Sequence, residues 1–184
     1  MNLTLVTPAA WSPVTIQEVC ENSRIDHGEE DSLIQGMIVG AVAHVERLTG
    51  RVIGAQTWEA VADGFPAGDL TFDLGPIVSV TSVTYLDADG NTQTIDAADY
   101  RVDTVSASGR ISPVGGWPTA GEYPNAVRVR FVAGVNAADA DVRQAILLMV
   151  GHWYEHREDA SSESLQSIPL GSAALLGLHR RMFV

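Results

Sequence analysis

The chain has 184 residues, 46% hydrophobic and 18% charged, a composition that supports a packed core and argues against disorder. Its net charge is −12, all 11 basic residues are arginine, and no basic run exceeds Arg180-Arg181, which argues against a sequence-reading nucleic-acid binder. A single cysteine, Cys20, leaves no internal disulfide and no multi-thiolate zinc site, and suits a reducing cytoplasm.

No apolar run reaches the roughly 18 residues that a membrane helix needs. The opening MNLTLVTPAAWSP has neither a basic n-region nor an apolar h-region, so no signal peptide is expected, and residues 1–13 read as an irregular arm. A short helix begins at Thr15, where Thr15 and Glu18 have the spacing of a capping box, and ends near Ser23. A longer helix starts at Glu29-Glu30-Asp31, acids that suit the positive end of a helix dipole. Leu33, Ile34, Met37, Ile38, Ala41, Val45 and Leu48 recur along it at three and four spacing, and Thr49-Gly50 closes it. Gly36 and Gly40 on that helix predict close helix packing.

The period then changes. Residues 55–62, 69–74, 77–86, 92–95 and 127–133 are rich in Val, Thr and aromatics. Val127, Val129 and Phe131 alternate with Arg128 and Arg130, the pattern of a half-buried strand. The alternation slips between Val80 and Val83, which predicts a bulge. Asp89-Gly90 is a hairpin signal. The DADGN segment around it lacks the downstream Glu and the flanking helices of a calcium loop. Residues 112–125, with three prolines and three glycines, read as a loop.

Helical period returns at Asp139 or Asp141 and runs to about Glu158, with Val142, Ala145, Ile146, Met149 and Trp153 as the buried stripe. Residues 170–180 can form one more short helix. The expected fold is therefore α+β: a helical bundle of two N-terminal helices and a long C-terminal helix, with a segregated antiparallel sheet or hairpin region between them. The expected organisation is an arm over 1–13, one α+β domain over 14–160, and a tail over 161–184 that binds a partner.

One motif offers chemistry. His152, Glu155 and His156 read H-x-x-E-H, and histidines four apart share one face of a helix, as in inverted-motif zinc peptidases. A catalytic zinc site needs a third protein ligand. The acids that follow, Glu158, Asp159 and Glu163, lie within a turn or two of the pair and are badly placed to close the sphere. A zinc hydrolase stays the alternative chemistry; the expectation is no metal, no cofactor and no catalytic residue.

Three stretches carry a resemblance: PVTIQEVCENSRIDHGEEDSLIQGMIVGAVAHVERLTGRVIGAQTW, then GPIVSVTSVTYLDADGNTQTID with AADYRVD, then DVRQAILLMVGHWYEHRED and its leucine-rich tail. Over about residues 13–181 the chain resembles the head–tail connector (adaptor) family of tailed bacteriophages and gene transfer agents. In that family the last helix commonly reads HWYENRE, so the resemblance makes His156 an incidental departure.

The resemblance implies a non-enzymatic virion protein, assembled in the host cytoplasm into a ring, typically of twelve copies, beneath the portal. Such a ring extends the DNA channel, passes DNA without specific binding, and docks stopper or tail proteins; no membrane is involved. A stopper or tail-completion protein of the same particle is the runner-up. The portal-contact candidates are Leu170, Leu175, Leu176, Arg180, Arg181, Met182 and Phe183, in a tail that either orders on the portal or folds back on its own core. Candidates for a neighbouring subunit or the next tail protein are Asp87, Asp89, Gly90, Asn91 and Trp117.

Overall fold

The computed structural model describes residues 1–26, 28–106, 108–156, 170–177 and 179. They fall into two compact units: a sheet unit, Met1–Trp11 with Gly54–Val135, and a helical unit made of Ser12–Ile53 and the chain after Val135. The chain thus passes between the units three times.

The helical unit begins with α1 (Ile16–Ser23). Its capping box forms as the spacing predicts: the Glu18 N–H donates to the Thr15 hydroxyl, and the Thr15 N–H donates to the Glu18 carboxylate at 2.8 Å. Helix α2 (Asp31–Thr49) ends at Gly50, which takes a left-handed conformation and donates its N–H to the Glu46 carbonyl. Ile34, Ile38, Ala41 and Val45 are its buried stripe, while Leu33 lies at the exposed margin. Gly40 faces Trp153, 3.6 Å from where a Cβ would stand, an ordinary contact that an alanine could also make, and Gly36 faces open space, so neither position requires glycine for close helix packing.

Helix α3 (Ala140–Glu155) packs on α1 and α2, and α4 (Leu170–Gly177) packs on α3 and α2. Val142, Ala145, Ile146, Met149 and Val150 are buried along α3. Arg143 ties α3 to the start of α1, donating to the Pro13 carbonyl and to the Glu18 carboxylate. Tyr154 donates its hydroxyl proton to Glu30 ahead of α2. The bond from the Thr15 N–H is the largest influence on the Glu18 carboxyl; desolvation opposes it, and the Thr15 hydroxyl and Arg143 add to it, so the carboxyl lies below its ordinary range.

The sheet unit holds two antiparallel sheets. The larger has five strands in the order β1 (Asn2–Thr7), β2 (Gln56–Ala62), β8 (Val127–Ala133), β4 (Ile77–Leu86), β5 (Thr92–Thr94). The smaller has three, in the order β3 (Leu70–Phe72), β7 (Gly109–Pro113), β6 (Tyr100–Asp103). In β8 the alternation is realised: Val127, Val129, Phe131 and Ala133 are fully buried or nearly so, and Arg128 and Arg130 are exposed. Register places Trp58 and Val80 beside Phe131, and Ala60 and Val83 beside Val129, on the same buried face. Phe72 of the small sheet stacks on Phe131, ring centroids 5.0 Å apart, so one aromatic contact joins the sheets. The β4 register shifts twice, between Ile77 and Ser79 and between Val80 and Ser82; the second is the expected slip.

The expected architecture needs correction. The described residues form four helices and two antiparallel sheets of eight strands, not a helical bundle with a long C-terminal helix and one sheet or hairpin region. The longest helix is α2, with 19 residues, and the C-terminal region holds α3 of 16 and α4 of 8. The supposed irregular arm supplies edge strand β1. Strand β1 is exposed along nearly its whole length, so no buried alternation marks it; β6 and β7 have only four and five residues among Asp, Ser, Gly and Pro.

Phe131→Ala removes the side chain shared by both sheets. The expected loss of stability in urea unfolding is about 3–5 kcal/mol; a loss under about 1 kcal/mol would show that the sheets do not depend on this contact.

Candidate interaction surface

In the sheet unit, the β4–β5 hairpin is organised by one carboxylate. Asp87 accepts hydrogen bonds from the N–H groups of Asp89 (3.0 Å) and Asn91 (2.9 Å) and from the Gln93 side-chain amide (2.8 Å). These bonds, the one from Gln93 first, hold its carboxyl below the ordinary range. Gly90 supplies the positive φ of the turn, +80°. Asp89, Gly90 and Asn91 are exposed at the tip.

The Pro- and Gly-rich loop after β7 folds onto that hairpin. Gly121 donates its N–H to the Leu86 carbonyl at 2.8 Å, and the Tyr123 hydroxyl donates to the Ala88 carbonyl at 3.3 Å. A Cβ at Gly121 would lie 2.3 Å from the Asp87 carbonyl oxygen, so glycine is what allows this approach. Trp117, in the same loop, stacks on Phe65 at 4.9 Å with the rings 9° apart, and its indole N–H donates to the Gly68 carbonyl at 2.7 Å. Phe65 meets Tyr85 edge-on at 5.7 Å. A cleft of about 500 Å³ opens beside this aromatic run, with Tyr85, Trp117, Asp96 and Asp99 in its walls.

The structure therefore brings Asp87, Asp89, Gly90, Asn91 and Trp117 onto one hairpin-and-loop surface. Sequence reasoning missed the two residues that clasp it, Gly121 and Tyr123; nothing in GEYP marks a contact with a hairpin more than thirty residues earlier. It also missed the Asp103 turn. That carboxylate accepts from the Ser106 hydroxyl (2.7 Å) and from the N–H groups of Val105 and Ser106, and pairs with Arg110; its pKa is strongly lowered, first by the Ser106 hydroxyl.

In the helical unit, α3 ends at Glu155, one residue before the second histidine of the H-x-x-E-H motif. The rings of His152 and His156 lie 4.5 Å apart, and His156 Nδ1 is 3.1 Å from the His152 carbonyl oxygen. Among the described residues no group of three or more His, Cys, Asp or Glu is arranged to hold a metal, so the pair gains no third ligand there.

Of the tail candidates, Leu176 is fully buried and Leu175 half-buried in the packing of α4. Leu170 opens α4, and Arg180, Arg181, Met182 and Phe183 lie outside the described residues. His179 sits between Asp139 (Nδ1 to carboxylate 3.4 Å) and Asp141 (Nε2 to carboxylate 3.6 Å), joining the end of α4 to the start of α3. Over its described part, the tail is folded back on its own core.

The sequence pattern of a family described as head completion protein matches residues 14–173. Comparison with curated proteins gives no match. Three similar solved chains come from gene transfer agent particles. One, from the virion of the native particle, has a TM-score of 0.82 and 23% identity. One, from the neck of the empty particle computed with C6 symmetry, has 0.81 and 23%; one, from the neck of the native particle computed with C12 symmetry, has 0.79 and 22%. Each match covers 100% of this chain and 97% of the other. No helix among the described residues is long and apolar enough to cross a membrane.

Two variants test the hairpin surface. Gly121→Ala sets a methyl group against a backbone carbonyl, and should cost about 1–3 kcal/mol in unfolding; an unchanged midpoint would mean that the loop does not bind the hairpin. Asp87→Asn should melt below wild type at pH 7. A carboxylate with a depressed folded pKa contributes its stability above the unfolded value and loses it as pH falls through the folded one. The gap to wild type should therefore close as pH drops below about 4; a gap independent of pH would remove Asp87 as the organising anion.

Proposed function

The chain belongs to the head completion protein family, and on that premise we propose that it is a head–tail connector of a phage or phage-like particle. It is a structural component of the virion neck, assembled in the host cytoplasm and without enzymatic activity of its own. The observation that carries this reading is the fold: the whole chain matches chains from the virion and the neck of gene transfer agent particles.

We read its working form as a ring of copies, twelve by analogy with the C12 neck, that continues the DNA channel below the portal. The net charge of −12 suits that task, because an acidic lining repels the phosphate backbone and lets DNA pass unheld. The hairpin-and-loop surface of the sheet unit offers its exposed tip residues to a stopper or tail-completion protein. The tail supplies the portal contact, with Leu170, Leu175, Arg180, Arg181, Met182 and Phe183 as its contact residues. Leu176 belongs instead to the core of the helical unit.

That burial decides the experiment. Deleting 165–184 would remove buried Leu176 and Ser172 and unsettle the fold, whereas deleting 180–184 leaves α4 whole. Electron microscopy of the protein mixed with its cognate portal should show an added layer with ring symmetry, lost or much reduced with the 180–184 deletion. A portal that stays bare while the protein attaches to tail components would overturn the adaptor assignment in favour of a stopper or tail-completion role.

A further inference from the structure

The large sheet has two open edges, and neither edge strand itself carries a charge, although Asp96 and Asp99 share the cleft that Thr94 of β5 lines. Strand β1 pairs only with β2 and reads NLTLVT; β5 pairs only with β4 and reads TQT. The first 17 residues contain no charged side chain, in a chain where 18% of residues are charged. The charges of this sheet stand on inner strands instead: Glu59 on β2 pairs with Arg130 (2.9 Å) and Arg128 (3.4 Å) on β8. The small sheet shows the opposite arrangement. Its edge strand β6 carries Arg101 and Asp103, and its other edge, β3, is bracketed by Asp69 and Asp73. Proteins block unwanted strand pairing with edge charges, prolines and short edges. Here the small sheet is blocked, and β1 is left open along six residues with Leu5 and Val6 each 43% exposed.

We propose that the two uncharged edges meet between copies of this chain, β1 of one against β5 of the next. The proposal rests on the ring reading and names the surface that closes the ring. Copies that each carry −12 repel, so self-contact costs least where no like charges face each other. A partner of another composition would impose no such constraint, which is why the occupant is a second copy. The edges are different strands at opposite ends of one sheet, so their contact is heterologous, the kind that generates rings. Four antiparallel pairings separate them, so β1 and β5 run in the same direction, and a sheet continued around an axis along its strands joins them in parallel. Main-chain hydrogen bonds along the short β5 edge, with cover for Leu5 and Val6, would supply the contact.

The test uses the full chain bound to its portal. Thr4 lies opposite Glu59 across the β1–β2 ladder, so Thr4→Lys gains a partner within its own copy while placing a charge on the edge. Thr94→Lys places a charge on the β5 edge, opposite the neutral Thr84. Each should keep the wild-type melting temperature and lower the fraction of ring-bearing portals by about tenfold or more. In a Cys20→Ser background, Thr4→Cys with Thr92→Cys or Thr94→Cys, treated with a short bis-maleimide, should give a ladder of covalent multimers from portal-bound rings. Normal rings from the Lys variants, with only monomer bands from the Cys variants, would overturn the edge contact and leave the ring reading intact. A wild-type protein that forms no ring on its portal would remove both.

Discussion

The sheet unit depends on strand β8. Its alternation lets one seven-residue segment bury Val127, Val129, Phe131 and Ala133 on one face while its backbone pairs with β2 on one side and β4 on the other. Both partners lie some forty or more residues earlier in the chain, and β1 joins through β2. The large sheet therefore cannot close until its last strand is present, the long-range pairing that makes folding slow. Phe131 then carries the contact onward to Phe72 and the small sheet.

With the buried face fixed, the remaining groups are assigned by exclusion. The outer face of β2 and β8 carries the Glu59–Arg128–Arg130 cluster, where exposed pairs contribute little to stability. The turn between β4 and β5 is held by Asp87 and by the Gly121–Tyr123 loop. These bonds are formed within the chain itself, the kind of preorganisation that limits the ordering cost of docking. The helical unit uses another device: Arg143, Tyr154 and His179 each tie two segments of the chain together through a carboxylate. An acidic protein thus spends part of its negative charge internally and leaves the rest on its surface.

Much of the local structure was legible because it follows local rules. The Thr15–Glu18 capping box, the Gly50 helix end, the β8 alternation and the Asp89-Gly90 turn each rest on residues within a few positions of one another. The architecture was not legible for the complementary reason. Strand β1 is defined by pairing with residues fifty or more positions away and has no buried stripe, so its sequence looks like an arm. Leu176 looks like a docking residue because its partners on other helices are invisible in a linear reading. The H-x-x-E-H motif shows the same limit: α3 ends at Glu155, before the second histidine, a boundary that the spacing alone does not mark. The resemblance over residues 13–181 to head–tail connectors and the head completion match over residues 14–173 agree with each other.

The central claim is that this chain completes the head so that a tail can attach. The most direct measurement is to purify particles made in its absence, add the purified chain with tails, and count tailed particles by electron microscopy. The account predicts DNA-filled, tailless heads that become tailed once the protein is supplied. Heads that acquire tails without it, or that never fill with DNA, would contradict a connector role.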